Sequence, residues 1–208
     1  MTDIPIQCAC GAVRGVVRGM APSNTNRAIC HCDDCQAFVH YLGRADEVLD
    51  EHGGTEVFQV VPGNVEFTEG AEHLTCLRLT EKGPYRWYTD CCRTPIANTP
   101  ANWRISFAGL LGRCLNSGPE GALDAAAGPV GMRIFTQFAT GDTATMAKLP
   151  GMTPLGMLRF GLSMLGGLLT GRYRDTPFFD GEGQPISNAY RVEGEERAKL
   201  PPYARAAG

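Results

Sequence analysis

Nine cysteines stand at positions 8, 10, 30, 32, 35, 76, 91, 92 and 114 of a 208-residue chain. Seven of them fall into three tight groups, Cys8-Ala9-Cys10-Gly11, Cys30-His31-Cys32-Asp33-Asp34-Cys35 and Cys91-Cys92. An odd total cannot pair completely into internal disulfides. The opening Met1-Thr2-Asp3-Ile4-Pro5 has neither the basic region nor the apolar run of a secretory signal. The expectation is a reducing, cytoplasmic setting, in which clustered thiols are ligands for a soft cation such as Zn2+. Two cysteines separated by one residue can point into one site from a turn, and Gly11 lets backbone amides approach the thiolates.

Three protein ligands with the fourth position left to water or substrate make a catalytic zinc site, whereas four cysteines make a closed structural one. The count suggests one of each. Cys8 and Cys10 join Cys91 and Cys92 in a structural clasp, and Cys30, Cys32 and Cys35 hold an open, catalytic-type metal. A single structural zinc with the other thiols idle is the simpler alternative. His31, between two ligands, reads as an orienting or solvent-facing residue, and Asp33, Asp34 and His31 are the nearest groups able to move a proton. Cys76, Cys114, Trp87 and Trp103 read as core. Arg14, Arg27, Arg44, Arg78, Arg86 and Arg93 could each clamp a carboxylate, and nothing in the sequence chooses among them.

Cys-Ala-Cys-Gly-Ala-Val-Arg at 8–14, Cys-His-Cys-Asp-Asp-Cys-Gln at 30–36 and Cys-Arg-Thr-Pro at 92–95 resemble the three signatures of the glutathione-dependent formaldehyde-activating enzyme and centromere protein V family, in order and in interval. The resemblance runs from about residue 4 to residue 110. It implies a mainly β, Mss4-like (β-tent) zinc fold and carbon–sulfur lyase chemistry that forms or splits S-hydroxymethyl adducts of a small thiol such as glutathione. Carried over by position, Cys30, Cys32 and Cys35 match the catalytic-type ligands, and Cys8, Cys10 and Cys92 match three of the four structural ones. The family's Cys-x-x-Cys-Gly-Thr is here Thr89-Asp90-Cys91-Cys92-Arg93-Thr94. Thr89 thus stands where a cysteine is expected and Arg93 where a glycine is, with Cys91 the candidate substitute and Asp90 a weaker one.

These residues have to be positioned by β structure. Residues 1–120 hold every cysteine and carry short apolar runs punctuated by Gly, Pro and Asn, which reads as a zinc-binding β domain with strands near 12–17, 56–61, 64–68, 74–79 and 85–88. Pro62-Gly63-Asn64 predicts a tight hairpin turn between two of them.

Residues 121–208 read as a helical extension packed on the first domain. Residues 122–127 suggest a short helix, and 132–138 form an apolar segment of unspecified type. A longer helix is predicted over 153–170, capped by Thr153 and opened by Pro154, with Leu155, Leu158, Leu162, Leu165 and Leu169 on one face and Gly156, Arg159, Ser163, Gly166 and Thr170 forming a second stripe. That segment is shorter than the roughly 20 apolar residues of a transmembrane span and contains Arg159. It reads instead as a helix packed on the β domain or on a second copy in a homo-oligomer. A net charge of -3 gives no attraction toward nucleic acid. The function class competing with an enzyme is a non-catalytic zinc-stabilised module that uses this helix for protein–protein or self association.

Overall fold

The computed structural model describes residues 1–115, 120–146 and 154–203. In chain order the first half comprises β1 (Thr2–Gln7), β2 (Arg14–Met20), β3 (Asn26–Cys30), α1 (Asp33–Tyr41), α2 (Ala45–Val48), β4 (Thr55–Val60), β5 (Val65–Glu69), β6 (Leu74–Arg78), β7 (Tyr85–Thr89), β8 (Pro95–Thr99) and β9 (Ala108–Leu111). Then follow α3 (Ala122–Ala127), β10 (Met132–Ile134), α4 (Pro154–Leu169), β11 (Tyr190–Arg191) and α5 (Gly194–Ala198). The mainly β expectation holds. A three-stranded sheet runs β1-β2-β5, and an eight-stranded sheet runs β10-β3-β4-β9-β8-β7-β6-β11. Both edge strands of the large sheet come from the later part of the chain and pair in parallel, β10 on β3 and β11 on β6.

Period-two alternation gives the large sheet two distinct faces. Phe58, Val60, Cys76, Trp87, Ala108 and Leu110 point into the main core, where Ile4, Ile6, Val13 and Val17 of the small sheet meet them. On the opposite face Leu77, Leu79 and Leu111 pack against Ala37, Phe38 and Val39 of α1 in a second, smaller core. Cys76 and Cys114 are buried, as expected of small core residues.

The hairpin expected at Pro62-Gly63-Asn64 is not formed. These residues make a 3-10 turn. Both edges of β4 are already taken, by β3 and β9, so β5 leaves for the small sheet and pairs with β2. Gly63 packs under the Arg172 carbonyl, where a Cβ would come within 2.4 Å of the oxygen.

The segment 132–138 resolves into β10 and a 3-10 turn at Thr136–Phe138. Residues 122–127 form α3 as predicted. For α4, Thr153 and the Leu155 side chain lie outside the described residues. The helix meets the body through Gly167, whose missing Cβ would come within 1.9 Å of Ser106 Oγ, and through Phe160, whose ring lies 5.6 Å from that of Phe107. Leu158, Leu162, Leu165 and Leu169 are exposed. No helix among the described residues is long and apolar enough to cross a membrane.

Phe178 and Phe179 of the Thr-Pro-Phe-Phe-Asp segment insert into the main core, with Phe178 5.2 Å from the Trp87 ring and 6.0 Å from that of Phe67. The later chain therefore completes the core instead of lying over it. Phe178→Ala is expected to lower unfolding stability by about 3–5 kcal/mol, as other truncations of fully buried aromatics do. Denaturant unfolding checks this, and a loss under about 1 kcal/mol would mean the segment is not part of the core.

Candidate metal centre and pocket

Two groups of thiols come together. In the first, Cys8 follows β1, Cys10 lies in the β1–β2 turn, and Cys91 and Cys92 lie in the β7–β8 turn. The Sγ separations are 3.5 Å for Cys8–Cys10, 3.9 Å for Cys8–Cys91, 3.4 Å for Cys10–Cys91 and 3.8 Å for Cys91–Cys92. Tetrahedral ligation at a Zn–S distance of 2.3 Å requires sulfurs about 3.8 Å apart, so these four thiols suit such an ion.

Several polar groups surround these sulfurs. The Val13 amide donates to Cys8 Sγ over 3.3 Å. Thr89 and Thr94 hydroxyls lie 3.4 and 3.1 Å from Cys92 Sγ. Burial raises the Cys92 thiol, but those hydroxyls and Cys10 outweigh it and bring it down to about 5, while Cys91 is pushed up to about 12 by burial and by the Cys10 thiol. Thr89 thus lies against the cluster as a hydroxyl, and Cys91 contributes the sulfur. Arg93 has a left-handed φ of 56°, the conformation for which glycine is best suited, and its guanidinium lies 5.7 Å from the Tyr41 ring centroid.

The second group is Cys30, Cys32 and Cys35, with Sγ separations of 3.4 Å for Cys30–Cys32 and 3.6 Å for Cys30–Cys35. Among the described residues no fourth histidine, cysteine, aspartate or glutamate completes it. The three do not share a loop. Cys30 ends β3, Cys32 is the N-cap of α1, and Cys35 lies in its first turn. The N-cap Cys32 makes no side-chain hydrogen bond to the first amides of the helix, and hydrogen bonding to Cys32 and Cys35, together with burial, raises the Cys30 thiol above its ordinary range.

Arg86 of β7 reaches the same point from the sheet. It is 2% exposed, and its Nη1 donates to Cys35 Sγ over 3.6 Å and to Asn98 Oδ1 over 3.2 Å. Its Nη2 lies 3.7 Å from Asp34 Oδ2, and Asp34 also accepts from the Tyr203 hydroxyl. The adjoining Cys30 and Cys32 thiols, and next the Arg86 charge, hold Cys35 well below the ordinary thiol range against the effect of burial. Arg86 is the member of the six-arginine set that the structure brings to a thiol group. Its signal in the sequence was the alternation of Tyr85-Arg86-Trp87-Tyr88, which puts Arg86 on the face away from Trp87.

The three thiols open into a cavity of about 930 Å³. Asp33 and Asp34, in the first turn of α1, line it. His31 does not face solvent. It is fully buried, its Nδ1 donates to the His52 carbonyl over 3.1 Å, and its Nε2 accepts from Arg133 Nη1 over 3.1 Å. Arg133 arrives on β10 and also bonds Asp50 Oδ2 over 3.0 Å. The His31 amide donates to the Ile134 carbonyl over 3.0 Å. The strand beyond residue 120 therefore braces the cysteine-bearing end of β3, a link with no local sequence pattern to announce it.

A family model described as a family of unknown function, DUF6151, matches residues 1–190. A crystal structure of a Rhodobacter sphaeroides protein aligns at 18% identity over 57% of this chain and 94% of that one, with a TM-score of 0.39. No curated protein matches the chain.

Asp50 connects this brace to the loop before β4. Burial raises its carboxyl, but the Gly54 amide, Arg133 and the His52 amide more than reverse that and leave it below the usual carboxylate range. A carboxyl depressed in the folded state adds stability above its unfolded pKa of about 3.9, and that contribution is lost as pH falls through the folded value. Asp50→Asn is therefore expected to cost about 1–3 kcal/mol at pH 7, with the gap from wild type shrinking toward pH 3. Chemical denaturation of both proteins, reduced and stripped of metal, at both pH values checks this, and a pH-independent gap would contradict it.

Proposed function

The chain belongs to the DUF6151 family, and we propose that it is a zinc protein with a closed clasp at Cys8, Cys10, Cys91 and Cys92 and an open, reactive site at Cys30, Cys32 and Cys35. The reaction proposed for the open site is carbon–sulfur lyase chemistry, the formation or splitting of S-hydroxymethyl adducts of a small thiol. The observation that carries the reading is the three-thiol group without a fourth cysteine, histidine or carboxylate ligand among the described residues, set at the wall of a cavity of about 930 Å³. The resemblance of 8–14, 30–36 and 92–95 to the formaldehyde-activating enzymes supports the same reading.

When bound at the three thiols, zinc would supply a soft Lewis acid that favours the ionised form of an incoming thiol. The chain's own groups have separate tasks. Arg86 offsets part of the negative charge of three thiolates and fixes Cys35 in place. Asp34 is held between Arg86 and Tyr203 and orients that guanidinium. Asp33, which lines the cavity and has no ion-pair partner among the described residues, is the carboxylate placed to carry a proton between substrate sulfur and carbonyl oxygen. The balance is simple. A carbon–sulfur bond forms as the carbonyl π bond breaks, and the thiol proton ends on the new hydroxyl, with no oxidant or reductant required.

The competing reading, a non-catalytic module that associates through α4, is favoured by the exposure of Leu158, Leu162, Leu165, Leu168 and Leu169. Exchange spectroscopy by NMR on a mixture of formaldehyde and a small thiol separates the two. Zinc-loaded protein is expected to speed interconversion of free thiol and adduct, and Cys32→Ser is expected to remove at least about 90% of that acceleration. Equal exchange with and without protein would overturn the lyase reading and leave the module.

A further inference from the structure

The cavity face of the large sheet carries an ordered row of polar side chains. Asn26 of β3 is opposite Gln59 of β4, Gln59 is opposite Gly109 of β9, Gly109 is opposite Asn98 of β8, and Asn98 is opposite Arg86 of β7. Each belongs to the same pleat row, so the row crosses five strands. Its side chains are three neutral amides, a gap at Gly109 and the one guanidinium already engaged with Cys35.

Gln59 is the informative member. It lines the cavity and is 4% exposed. Its Oε1 accepts from Asn26 Nδ2 over 2.6 Å, yet its Nε2 has no hydrogen-bond partner. A buried amide donor without a partner is costly, and in a cavity wall a ligand acceptor can satisfy it.

Much of the remaining wall is apolar, with Phe107, Phe160, Met132, Ile134, Phe135 and Phe138 lining it, the last four from β10 and the turn after it, while Lys82, Asn102, Arg197 and Tyr203 supply its other polar groups. Phe135 and Phe138 are 47% and 40% exposed. Phe135 also has a left-handed φ of 57°, an uncommon, strained conformation for a bulky residue that recurs at ligand clamps. Along β3, Cys30 and Asn26 are four residues apart on one face, about 13 Å at strand rise.

We propose, building on the thiol-handling reading of the three-cysteine site, that the substrate is an elongated thiol with an uncharged, apolar body, anchored by sulfur at Cys30, Cys32 and Cys35, whose far end presents a hydrogen-bond acceptor to Gln59 Nε2. Glutathione, with two carboxylates and an ammonium group, is the poorer match. Its ammonium group and peptide backbone would lie against phenyl rings, and although Lys82 and Arg197 also line the cavity and could meet its carboxylates, Arg86, the cation beside the thiols, is already shared among Cys35, Asn98 and Asp34.

Isothermal titration calorimetry on the metal-loaded, full-length protein tests this with three probes: 8-mercaptooctanamide, octanamide and glutathione. The mercaptoamide is expected to bind at least about tenfold tighter than glutathione, and Gln59→Leu to weaken it by about tenfold while leaving glutathione unchanged. Phe138→Ala, at a half-exposed rim position where folding is not at stake, is expected to weaken the mercaptoamide by about threefold or more. Glutathione binding as tightly as the mercaptoamide, or both variants binding it like wild type, would overturn the substrate class and leave the thiol site intact. Octanamide binding as tightly as the mercaptoamide would overturn the sulfur anchor itself, and with it the function proposed above.

Discussion

A guanidinium buried beneath three thiols is the constraint on which the site depends. Arg86 cannot be left in the sheet without anionic or acceptor partners, because a desolvated, unpaired charge costs several kcal/mol. Cys35 and Asp34 of α1 and Asn98 of β8 meet that demand at the two terminal nitrogens. The thiols have the complementary need, since bringing three sulfurs within 4.8 Å of one another accumulates negative charge as they ionise. Charge at β7 and charge at the start of α1 therefore position each other, and Tyr203, through Asp34, ties the end of the described chain to the same point.

The architecture around this pair follows from the two faces of the large sheet. One face is fully occupied by the small sheet and by Phe178 and Phe179. The other is half covered by α1, and the uncovered half becomes the cavity. β10 then pairs with β3 and brings Arg133 to His31 and Asp50, so the strand that carries Cys30 is held on both edges. The clasp at Cys8, Cys10, Cys91 and Cys92 does comparable work at the far side, joining the β1–β2 turn to the β7–β8 turn across more than eighty residues of sequence. The thiols that join the two turns and the thiols that face the cavity are thus separate groups.

The sequence made the cysteine groups legible because ligand spacing is local, and the mainly β character because strand punctuation is local too. Five strands and the helices at 122–127 and 154–169 could be read directly. The helix that begins with Cys32 was missed. Its signals, an acidic first turn at Asp33 and Asp34 and the run Ala37-Phe38-Val39, were masked by the cysteines' own reading as a metal loop. The hairpin at Pro62-Gly63-Asn64 failed because turn chemistry does not reveal that both edges of β4 are taken. The leucine stripe of α4 showed a helix but not which side touches the body, which was decided by the close approach at Gly167. The row from Asn26 to Arg86 was invisible, since it exists only in the register of five strands.

The most direct test of the central claim is the zinc content of protein purified under reducing conditions without added metal, measured by elemental mass spectrometry on wild type and on the Cys30→Ser, Cys32→Ser, Cys35→Ser triple variant. The account predicts about two zinc ions per chain falling to about one in the variant, with the far-ultraviolet circular dichroism unchanged, because the clasp is separate from the open site. A single zinc that persists in the variant would contradict it, placing the metal at the clasp alone.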